Sequence, residues 1–138
     1  MEAGTGGLIK GMRAIAKSNF EKLKVYSLSE KLADEIWKVA RTWDHFTRDT
    51  VGKQIVRAAD SIGANIAEGT GRGSVYDNRR FVRVARGSLY ETRHWLRRSF
   101  QRKLLTSEQT EQIKVLIENL SPMLNAYLRA LGKKCEKD

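Results

Sequence analysis

Apolar positions repeat with a helical period along most of this chain. Leu32, Ile36, Val39, Trp43 and Phe46 recur at steps of four and three, which is one face of a helix. Ser27-Leu-Ser-Glu30 has capping-box spacing, so the first helix is predicted from about Ser27 to Thr42. Val51, Ile55, Ala58/Ala59, Ile62 and Ile66 predict a second from about Asp49 to Glu68. Gly69 is expected to close it as a C′ residue with positive φ, and Gly69-Thr-Gly-Arg-Gly73 reads as a loop. Ser74-Val-Tyr-Asp77 opens a third helix that continues to about Lys103, with Phe81, Val82, Ala85, Leu89, Thr92, Leu96 and Phe100 on its core side. A fourth starts at Thr106 or Ser107 on the core line Ile113, Ile117, Leu120, Leu124, Tyr127 and Leu131. That line passes Pro122 in phase, so the proline is expected to kink the helix rather than end it. Gly132 and Lys133-Lys134 mark its expected end. No segment alternates with the period of a strand.

Four amphipathic helices with short connections predict an all-α, antiparallel up-down four-helix bundle. Residues 20–135 are assigned to it. Residues 1–19, with four glycines, Lys10, Arg13 and Lys17, read as a flexible basic arm, and residues 136–138 as a tail. The length of 138 residues favours one domain. No run of eighteen apolar residues offers a membrane span. Cys135 is the only cysteine, which excludes a disulfide within the chain and thiolate-rich zinc sites and fits a reducing cytoplasm.

Charge changes the picture most. The formal net charge is +10, and residues 74–105 carry nine basic and two acidic side chains, so +7 of the total belongs to the third helix and its ends. At about 100° per residue, Arg79, Arg83, Arg86, Arg93 and Arg97 form one ridge roughly opposite the core face, with Tyr90 filling the missing place. Guanidinium groups make forked bonds to phosphates, and Tyr90 could stack on a base. The competing account is a solvated face neutralised by acids on neighbouring helices or subunits. A membrane surface is disfavoured, because the apolar side of this helix is needed for the bundle.

Other candidate chemistry is thin. The glycine loop lacks Walker spacing and a preceding strand, so no nucleotide cofactor is expected. His45 and His94 have no metal-ligand spacing, and Cys135 has no base beside it. Asn65 and Glu68 lie on or near the packing side of the second helix. Glu68 as a lone acid or base has no second catalytic group, so both are assigned structural roles in hydrogen bonding and helix register, with Arg72 an alternative partner for Glu68. Trp37 and Trp95 sit at the edges of core stripes, as peripheral core or subunit contacts. No enzymatic activity, metal or cofactor is expected.

Three stretches carry a family likeness: Phe20-Glu-Lys-Leu-Lys-Val-Tyr26, Ala58-Ala-Asp-Ser-Ile-Gly-Ala-Asn-Ile-Ala-Glu-Gly69, and Ala85-Arg-Gly-Ser-Leu-Tyr-Glu-Thr92 followed by Trp95-Leu96. Together they resemble the bacterial four-helix-bundle proteins first met as reading frames inside intervening sequences of large-subunit ribosomal RNA genes. The likeness spans about residues 20–132 and departs at Gly63, where many members carry proline. It implies a cytosolic ring, typically a homopentamer. It also implies kinship with the accessory variability proteins of diversity-generating retroelements, which are basic pentamers that bind RNA and a partner reverse transcriptase. The expected function is therefore a non-enzymatic, nucleic-acid-binding accessory protein. The alternative is a structural, protein-interaction ring without direct nucleic-acid binding.

Overall fold

The computed structural model describes Phe20 and residues 23–137; the basic arm assigned to residues 1–19 lies outside them. Four long helices account for most of these residues, and no strand occurs among them. They are α1 (Lys24–Ala40), α2 (Lys53–Thr70), α3 (Val75–Gln101) and α4 (Ser107–Lys137). A helical turn, His45–Thr47, and a π-helical segment, Arg48–Gly52, lead directly into α2.

The apolar stripes close on one core. Leu32, Ile36 and Val39 of α1 meet Ile55, Ala59, Ile62 and Ile66 of α2, Val82, Ala85 and Leu89 of α3, and Ile113, Ile117, Leu120, Leu124, Leu128 and Leu131 of α4. Buried Ser29, Thr92 and Ser99 avoid a desolvation penalty by donating to carbonyls one turn back, those of Tyr26 (2.6 Å), Ser88 (2.8 Å) and Trp95 (2.8 Å). Each helix packs on two neighbours, in the cyclic order α1–α2–α3–α4–α1. Along α2/α3, Ser61 lies beside Ser88 and Gly69 beside Asn78, so those two helices run antiparallel, and single contacts mark each seam. Gly63 faces Ser29 across α1/α2, Ser61 bonds Ser88 (2.9 Å) across α2/α3, and Asn78 donates to Tyr127 (3.3 Å) across α3/α4. At one end, the Trp43 indole donates to the Leu104 carbonyl (2.9 Å), tying the α1–α2 connection to the α3–α4 connection.

The ends of the helices depart from several expectations. The first helix starts at Lys24 with Leu23 as an uncapped N-terminus, so Ser27 lies inside the helix and caps nothing. The second helix runs through Gly69 to Thr70, and none of the described glycines has positive φ. Gly69 is needed for close approach instead: a Cβ there would stand 3.1 Å from the Asn78 carbonyl and 3.2 Å from the Phe81 Cβ. The left-handed cap occurs at Lys103 (φ 61°), where Leu104 N–H donates to the Ser99 carbonyl at 2.9 Å, the Schellman pattern. The fourth helix continues past Gly132 to Lys137, because in-phase Leu128 and Leu131 still hold its last turns to the core. Phe100, assigned to the core, is 58% exposed, and Ser99 takes the buried place. The third and fourth N-termini behave as their sequences suggest. Ser74 accepts from Asp77 N–H (3.1 Å), and Thr106 and Gln109 exchange reciprocal capping bonds of 3.1 and 3.0 Å.

Candidate nucleic-acid interface

The predicted ridge is a property of α3 that the bundle leaves uncovered. Val82, Ala85, Leu89 and Thr92 occupy the buried side, which turns Arg83, Tyr90, Arg93 and Arg97 outward and leaves Arg79 and Arg86 half-buried at the α4 boundary. From Arg79 to Arg97 the row extends about 27 Å at 1.5 Å per residue. None of its five arginines forms an ion pair among the described residues, whereas Arg72 and Arg80 nearby are held by Glu68 (2.9 Å) and Asp77 (3.6 Å). Those two also flank the Phe81 ring, at 4.7 and 4.6 Å from its centroid, and stand outside the ridge.

The fold adds what α3 alone does not reveal. Arg79, Arg83 and Arg86 form one wall of a groove of about 580 Å³, and Asn125, Leu128, Arg129, Gly132, Lys133 and Glu136 of α4 form the other. Five cations thus face one carboxylate in a shared concavity. Like charges held this close keep a high local potential that an anion relieves. The Arg79 guanidinium lies over Gly132, where a Cβ would stand 3.5 Å from it, an ordinary contact. Arg129, Gly132 and Lys133 were missed in the sequence because Gly132 and Lys133 were read only as the end of the helix and the charges of residues 106–138 sum to zero. Their i, i+3, i+4 spacing is the signal that places them on one face.

The remaining predicted residues separate. Asn65 Nδ2 donates to the Ser61 carbonyl (2.8 Å) and to Ser61 Oγ (3.0 Å), and Ser61 in turn bonds Ser88, so Asn65 supports the α2/α3 seam. Glu68 is exposed and pairs with Arg72 one turn on, the alternative partner, rather than entering the packing. An exposed pair of this kind contributes about 0–1 kcal/mol. Trp95 packs partly against the core and donates to Glu91 Oε2 at 3.3 Å. Trp37 is 52% exposed and does not act as peripheral core within one chain. No helix is long and apolar enough to cross a membrane, and no cluster of three or more His, Cys, Asp or Glu able to hold a metal occurs among the described residues.

Comparison with known proteins agrees with this architecture. The family described as 23S rRNA-intervening sequence protein matches residues 21–126, most of the bundle. The chain belongs to that family. A similar fold is seen in the 1.70 Å crystal structure of a protein with unknown function from the S23 ribosomal protein family of Bacteroides thetaiotaomicron VPI-5482. That protein is 27% identical, with a TM-score of 0.67, over 75% of this chain and 97% of its own. No curated protein matches. In this 23S rRNA-intervening sequence protein the Ala58–Gly69 stretch forms the α2 side of two seams, through Gly63 toward α1 and through Ser61 and Gly69 toward α3.

Proposed function

We propose that this chain is a non-enzymatic, oligomeric accessory protein that binds RNA along its α3/α4 face. The observation that carries the reading is the convergence of Arg79, Arg83, Arg86, Arg129 and Lys133 on one groove that contains a single carboxylate, Glu136. Arg93 and Arg97 continue the row beyond it. A cationic track of this kind suits a phosphate backbone, which supplies affinity without reading sequence. Assembly as a ring, typically of five chains, would present several tracks at once and raise avidity without new contacts. The family resemblance extends the reading to a partner reverse transcriptase of a diversity-generating retroelement.

A second reading, a protein-interaction ring without RNA, draws on the exposed aromatics Trp37 and Phe46. One titration separates the two. Changing Arg83, Arg86 and Arg93 together to Gln should leave helicity and mass in solution unchanged, lower RNA affinity and flatten its salt dependence. Each lost phosphate contact on a single strand removes about 0.7 from the log–log slope. Equal binding by wild type and variant, measured by anisotropy at several salt concentrations, would remove the ridge from RNA recognition. No binding by wild type at low salt would favour the interaction ring.

A further inference from the structure

Tyr90 divides the basic face into two unlike halves. Before it, Arg79, Arg83 and Arg86 share a groove with α4; beyond it, Arg93 and Arg97 stand on α3 outside that groove. Tyr90 lies one helical turn past Arg86, about 6 Å along the axis. It is 60% exposed and takes no part in the core cluster. The Arg93 guanidinium stands 5.9 Å from its ring centroid, within the range of a cation–π contact. The chain therefore holds an aromatic surface in water, in the middle of a cationic row, where packing does not require one.

A π-face beside a phosphate track has a specific physical use. Unpaired bases can turn out and stack on it, and every base has a face to offer. In a duplex the base faces are already covered by their neighbours, and an A-form helix presents backbone, 2′-hydroxyls and base edges instead. The groove volume of about 580 Å³ lies in the range of small-ligand sites, about 300–1,000 Å³, which suits one or two nucleotides of a single strand. We infer that the α3/α4 face selects single-stranded over duplex nucleic acid, with the backbone on the groove cations and a base stacked on Tyr90. This deepens the RNA-binding reading and rests on it.

The full chain should be titrated by anisotropy with a labelled oligouridine of about twenty nucleotides and with an RNA duplex of the same length. Wild type should bind the single strand more tightly. Tyr90→Ala should weaken single-strand binding about tenfold and leave duplex binding unchanged, while Tyr90→Phe keeps most of the affinity. Arg83→Gln combined with Arg86→Gln should weaken both probes. If Tyr90→Ala alters neither probe, or alters both equally, while the arginine variant weakens both, the strand-selection inference fails and the RNA-binding reading survives. If the arginine variant weakens neither, both fail. Tyr90 is exposed, and circular dichroism of each variant verifies that the helices are intact.

Discussion

Where α1 meets α2, a groove of about 320 Å³ is lined by Tyr26, Glu30, Asp34, Asp60 and Gly63, among others. Where α3 meets α4, the groove of about 580 Å³ carries Arg79, Arg83, Arg86, Arg129, Lys133 and Gly132. The cyclic order of helix contacts puts these seams on opposite sides of the bundle. Both include a glycine, but the glycines do different things. A Cβ at Gly63 would stand 2.9 Å from Ser29 Oγ, closer than real contacts allow, whereas at Gly132 it would meet only the end of the Arg79 side chain at an ordinary 3.5 Å. The α1/α2 seam is tight at its glycine, and the α3/α4 seam has room at its own. The two grooves thus carry opposite charge, three carboxylates lining the one and five cations against a single carboxylate lining the other.

The largest effect should come from breaking the tight seam. Gly63→Val forces Ser29 and Tyr26 away from α2 and should cost about 1–3 kcal/mol in urea unfolding, with the α3/α4 groove retained in whatever fraction folds. Gly132→Ala should do the opposite. It adds a methyl in ordinary contact and replaces glycine inside a helix, so stability should rise by about 0.5–1 kcal/mol, with RNA binding preserved. Equal losses in both variants would mean that the seams are not different in kind.

The smallest effect is one of pH. Partial burial first, and the Asp34 charge second, push the Asp60 carboxyl above its ordinary value of 3.8. The folded chain then binds this proton more tightly than the unfolded chain, so stability falls as pH rises from 3.8 through the folded value. Asp60→Asn removes that step. Unfolding midpoints of variant and wild type should coincide near pH ~3, and the variant should be slightly the more stable at pH ~7, by a margin that solvent screening keeps small. A variant less stable at neutral pH would show that Asp60 has a stabilising partner.

The helices and most of the core were legible because burial imposes a period. Ile113, Ile117, Leu120 and Leu124 are buried as their spacing requires, and so are Val82, Ala85 and Leu89. The ridge on α3 was legible for the same reason: once one face is buried, the opposite face is determined. Local signals competed less well. Ser27 and Glu30 have the spacing of a cap, yet Val25 and Ser29 are buried against the core and the helix begins ahead of them. Gly69 looks like a terminator, but the constraint it answers is the approach of α3, which no local pattern records. The α4 wall of the groove was hidden because its cations balance acids elsewhere on the helix in any sum over sequence. Only the fold brings Arg129 and Lys133 to Arg79 and Arg83.

The central claim is that RNA meets the α3/α4 flank and avoids the carboxylate-lined α1/α2 groove. Ultraviolet crosslinking of the wild-type chain to a single-stranded RNA, followed by peptide mass spectrometry, tests this directly. The account predicts adducts on the peptides of α3 that hold Arg86 to Arg97, Tyr90 among them, and on the α4 peptides around Arg129 and Lys133. Peptides holding Glu30, Asp34 and Asp60 should be free of them. Adducts concentrated on the α1/α2 peptides, or spread evenly over the chain, would contradict it.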